Sequence, residues 1–124
     1  ISIQTAPNVP KEYIERCVKH LCSMSFDMRN KIRDMIIENM FVDGIPEYEI
    51  INKSCFDCIT IYTPYGEEPA YSLGGEPDFE EEHGMAVMIR GDRILAVGYR
   101  CDIEYISPWN SEYETRYESR GGRV

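Results

Sequence analysis

Asp78, Glu80, Glu81, Glu82 and His83 form the densest group of ionisable side chains in the 124-residue chain. Carboxylates beside an imidazole are the residue types that hold a divalent cation or supply an acid and a base. A small metal-dependent enzyme would therefore work through Glu81, Glu82 and His83. Consecutive glutamates point in different directions, however, so Glu80–Glu82 do not all converge on one ion. A solvated acidic loop, in which one carboxylate or His83 ties down the entry to the hairpin that follows, is the stronger reading. No serine sits in a nucleophile-elbow context and no glycine-rich phosphate loop follows a strand. Cys55 and Cys58 match the C-x-x-C spacing, but that motif needs a turn or a helix N-terminus to bring two thiols together. Here it opens a strand, where residues three apart face opposite sides. We expect five free thiols, no Cys55–Cys58 disulfide, no metal and no cofactor.

Charge bounds the partner. The net charge is −9 with 22 acidic and 13 basic residues, which argues against nucleic acid and anionic membranes, both of which require a basic surface. From Ser54 to Ile89 there are eight acidic residues (Asp57, Glu67, Glu68, Glu76, Asp78, Glu80, Glu81 and Glu82) and no lysine or arginine. Such a segment raises a local negative potential that steers a cationic partner. Tyr65 and Tyr71 lie within it, and tyrosine beside carboxylates is common at protein interfaces. Asp78, Glu80, Glu81, Glu82, Tyr65 and Tyr71 are thus the candidate partner-binding residues. No apolar run reaches the length that spans a bilayer. An odd cysteine count with irregular spacing points to a reduced, cytoplasmic protein.

The elements that must position these residues follow from periodicity. The spacing predicts a short strand over Ile1–Thr5, then helices over Pro10–Ser23 and Phe26–Phe41, the second capped by Ser25 and closed at Asp43-Gly44. Their apolar stripes are Ile14, Cys17, Val18, Leu21 and Cys22 on the first, and Met28, Ile32, Met35, Ile36 and Met40 on the second. Strands are expected at Tyr48–Ile51, Cys55–Thr63 and Ala70–Leu73, and Gly74-Gly75-Glu76-Pro77 breaks the pattern. Two apolar runs, Met85–Ile89 and Ile94–Val97, flank Gly91-Asp92, a two-residue hairpin signal. That loop pairs Arg90 with Arg93, Ile89 with Ile94, Val87 with Ala96 and Met85 with Gly98. Neither arm alternates polar with apolar residues, so both faces should be covered. Asp102–Ile106 continues the second arm or forms an edge strand, and Ser111–Glu114 has capping-box spacing for a short helix.

Pro77-Asp78-Phe79-Glu80-Glu81-Glu82-His83-Gly84-Met85, followed by an apolar strand, a Gly-Asp turn and Ile94-Leu95-Ala96-Val97-Gly98, resembles a group of small bacterial domains of uncharacterised function. These carry an acidic-E-H-G-apolar motif before a hairpin that ends in an apolar-Gly step. The likeness covers residues 76–102 in detail and 10–50 in outline. Some members look like immunity proteins that neutralise toxins of bacterial competition systems. The resemblance implies that Glu82, His83 and Gly84, with Gly91, Asp92 and Gly98, are a structural signature.

The expected architecture is a single α+β domain over residues 1–124, with two N-terminal helices packed on a mainly antiparallel sheet built around the hairpin. The expected function is a non-enzymatic protein-binding module, an immunity protein for a basic toxin in its sharpest form, with the metal-dependent enzyme as the alternative.

Overall fold

The computed structural model describes residues 2–40, 56–77 and 82–109. Its elements are β1 (Ser2–Thr5), α1 (Lys11–Cys22), α2 (Phe26–Met40), β2 (Phe56–Ile61), β3 (Ala70–Gly75), β4 (Met85–Arg90), β5 (Arg93–Gly98) and α3 (Arg100–Ile103). The class is α+β. Among the described residues the strands form one sheet in the order β1-β2-β3-β4-β5. β1 runs parallel to β2, and the three other pairings are antiparallel. Among the described strands β3 is the middle one and β5 lies at one edge. The hairpin therefore lies to one side of the sheet rather than at its centre.

Both helices start where the chain chemistry requires. Pro10 donates no amide, and its carbonyl accepts from the amides of Tyr13 and Ile14 at the first turn of α1, both at 3.1 Å. Ser25 caps α2, its hydroxyl accepting from Met28 N at 3.1 Å. The predicted stripe on α2 is buried at Met28, Ile32, Met35 and Ile36. On α1 the buried face is rotated from the expected one. Tyr13 and Cys17 are buried, Ile14 and Leu21 pack at the margin, and Cys22 is exposed. A pattern of aliphatic residues misses Tyr13 because a phenol enters a core only when its hydroxyl finds partners there. Here it does: Tyr13 donates to Glu68 O at 3.0 Å and accepts from Ala70 N at 2.9 Å.

Strand alternation sorts the core into two clusters. Ile59, Ile61, Tyr71, Leu73, Met85, Val87, Ile89, Ile94 and Val97 meet the helices on one face. Ala86, Met88, Leu95 and Ala96 turn to the other, where Ile103 of α3 and Tyr62 pack on them. Both faces are thus covered, as the unbroken apolar runs imply.

A bulge corrects the hairpin register. Arg90 pairs with Arg93 and Ile89 with Ile94, but Met88 then pairs with Ala96 and Val87 with Val97. Leu95 is the extra residue. Leu95 and Ala96 consequently share a face, which lets β5 supply Ile94 and Val97 to one cluster and two neighbours to the other. Two further expectations are corrected. Gly74 and Gly75 belong to β3, opposite Ala86 and Met85. Residues 102–106 form no strand, because the amides of Asp102 and Ile103 turn back to Tyr99 O at 3.0 and 3.2 Å and start α3. The expectations at Tyr48–Ile51, Cys55, Asp43-Gly44 and Ser111–Glu114 lie outside the described residues.

Candidate functional site

The E-H-G motif lies where β3 passes into β4. Asp78, Glu80 and Glu81 lie outside the described residues, while Glu76, Glu82 and His83 are exposed. The His83 ring stacks on Tyr99, with centroids 4.6 Å apart and planes 22° from parallel. That contact ties the entry of β4 to the exit of β5. Gly84 follows with φ +68°, and a Cβ there would stand 2.9 Å from Gly75 O and 3.3 Å from Arg100 Cβ. Both the backbone conformation and the space demand glycine.

Arg100 crosses the same end of the sheet. Its Nε donates to Glu104 Oε1 at 2.7 Å, and its Nη1 lies 3.7 Å from Asp57 Oδ1. Burial disfavours its charge, but the Glu104 and Asp57 carboxylates outweigh that and hold its pKa above the usual value. A side chain at Gly74 would run into the Arg100–Glu104 pair. Asp57 is exposed because Phe56 pairs with Gly75 and Cys58 with Gly74, leaving Asp57 as the extra residue of a bulge in β2. Asp57, Glu76, Glu82 and Asp102 are thus exposed carboxylates at one end of the sheet, around an exposed imidazole–phenol stack. Among the described residues no three His, Cys, Asp or Glu side chains converge as metal ligands.

The remaining acidic residues of the segment are elsewhere. Glu67 and Glu68 lie in the β2–β3 loop at the opposite end, roughly 15–20 Å away by the rise of a six-residue strand. Glu68 Oε1 is 3.2 Å from Arg90 Nε and 3.3 Å from Arg93 Nη2. Arg16 donates to Glu67 O at 3.1 Å, and Gly91 N donates to Pro69 O at 2.8 Å. Arg90 is itself buried, donating to Pro108 O at 2.8 Å with its guanidinium 5.5 Å from the Trp109 ring centroid. Trp109 bonds Thr63 O at 3.0 Å and meets Tyr65 edge-on. Tyr65 is 74% exposed and available for contact, but on this far loop rather than beside the motif.

Tyr71 cannot be a partner contact. It is fully buried, and its hydroxyl lies 2.7 Å from His20 Nδ1. Strand alternation turns it toward α1 with Leu73, inside the helix-covered core. His20 Nε2 in turn lies 3.9 Å from Asp92 in the β4–β5 turn. Burial, then the fields of Cys17 and Cys22, push the Tyr71 phenol well above its ordinary pKa. Burial and Cys17 likewise raise Tyr13 to about 12. Burial also raises the Cys17 thiol. In each of the three, burial favours the neutral form. At the turn Gly91 takes φ +60°, as a two-residue loop with glycine first requires. Gly98 needs no such freedom, since a Cβ there would meet Ile103 at an ordinary 3.5 Å.

Sequence reading missed Tyr13, His20 and Arg90. The available signals were an aromatic residue four before Cys17, a histidine three after it, and an arginine ending an otherwise apolar strand.

Helices on one face, a short helix on the other and an acidic strand-end rim define a small α+β domain. Residues 2–105 match the family described as Domain of unknown function (DUF6985), and the chain belongs to that family. No curated protein and no solved structure matches it. Among the described residues no helix is long and apolar enough to cross a membrane.

Proposed function

We propose that this domain is a non-enzymatic binding module that receives a basic protein at the β3–β4 end of its sheet. An immunity protein neutralising a basic bacterial toxin is the sharpest form of that reading. One observation carries it: exposed Asp57, Glu76, Glu82 and Asp102 gather at one end, and the connection joining β3 to β4 carries Asp78, Glu80 and Glu81 in its sequence. Carboxylates so placed accelerate encounter with a cationic surface. The stacked His83 and Tyr99 rings beside them supply flat contact area that costs little side-chain entropy on binding.

Capture from a lysate of the source cells, comparing the native domain with the double variant Glu76→Lys/Glu82→Lys, tests this. A basic protein should be held by the native domain at low salt and be lost both to the variant and at 0.5 M salt, a concentration at which the Debye length is only about 4 Å. The variant should fold normally, because exposed carboxylates contribute little to stability. Equal capture by both forms would refute the reading. Stoichiometric zinc, manganese or iron surviving dialysis would replace it with an enzyme using Glu81, Glu82 and His83.

A further inference from the structure

We draw no further inference here: the strongest candidate, the Tyr71–His20–Asp92 row beside the cavity of about 200 Å³ between α1, the start of α2 and the β4–β5 turn, belongs to the contacts already described between α1 and the sheet, and nothing in the structure shows what would occupy the cavity.

Discussion

Gly84→Ala tests whether the E-H-G motif is a backbone device. A residue with a Cβ held at φ +68° costs about 1–2 kcal/mol relative to glycine. The new methyl would also stand 2.9 Å from Gly75 O, a backbone atom fixed by the β3–β4 ladder and unable to swing aside. Overpacking of that kind costs about 1–3 kcal/mol, while the stiffer unfolded chain of an alanine variant offsets about 0.4–1 kcal/mol. The net expectation is a loss of about 2–4 kcal/mol, lowering Tm by roughly 10 °C in a domain of this size. Gly98→Ala is the matched control, because its Cβ would meet only Ile103 Cδ1 at 3.5 Å and strand alanine is preferred to glycine by about 0.5–1 kcal/mol. Urea unfolding followed by circular dichroism, with calorimetry for Tm, measures both. A Gly84→Ala loss under about 1 kcal/mol, or one no larger than that of Gly98→Ala, would refute the backbone account, since αL strain and the close contact together exceed it even after the unfolded-state offset.

Other perturbations separate the two ends of the sheet. Arg90→Ala should cost about 2–4 kcal/mol in urea unfolding, since it empties a buried site and orphans the Pro108 carbonyl. Arg93→Ala, 40% exposed on the same Glu68 carboxylate, should cost less than about 1 kcal/mol. The Tyr71→Phe and His20→Ala pair should show a coupling of about 1 kcal/mol in a double-mutant cycle, and strict additivity would deny the hydrogen bond. Tyr13 has a folded pKa of about 12 against an ordinary value near 10. Its contribution to stability is therefore complete below pH 10 and is lost as pH rises toward 12. Between pH 10 and 12 the native domain should accordingly lose more stability in urea unfolding than Tyr13→Phe does, and an identical pH dependence of the two would contradict this. Without reductant, a native thiol assay should label Cys22 and Cys101 rapidly and spare Cys17 and Cys58, with all five cysteines recovered in denaturant.

Periodicity located α1, α2, β2, β3 and the hairpin because each carries an apolar face or run that must be buried somewhere. It failed where burial depends on a partner distant in sequence. Tyr13 reads as a surface aromatic until the Glu68 carbonyl and the Ala70 amide are placed against its hydroxyl. Arg90 reads as the polar end of a strand until Pro108 and Trp109 close over it. The β5 bulge was equally hidden: Gly91-Asp92 sets the first two pairs correctly, but no local residue states that Leu95 will be skipped. That decision belongs to the two cores, which require Ile94 and Val97 on one face with Leu95 and Ala96 on the other. Gly74, read as a breaker, is instead the strand residue flat enough to lie beneath Arg100 and Glu104.

The acidic segment shows how proximity in sequence misleads about surface potential. β2 and β3 run antiparallel, so residues in the loop between them and residues beyond their outer ends are driven to opposite poles. Glu67 and Glu68 go to the pole where Arg90 and Arg93 pair with the Glu68 carboxylate and Arg16 bonds the Glu67 carbonyl, so three cations stand beside those two carboxylates. Asp57, Glu76 and Glu82 go to the other pole, where Arg100 is the cation paired within the described contacts, and it is held by Glu104 and Asp57. At about a Debye length of separation or more, the two poles act independently in physiological salt. A basic partner steered by this domain would therefore meet the β3–β4 end. Reversing Glu67 should change its association rate far less than reversing Glu76 or Glu82, although all three lie in the same acidic stretch of sequence.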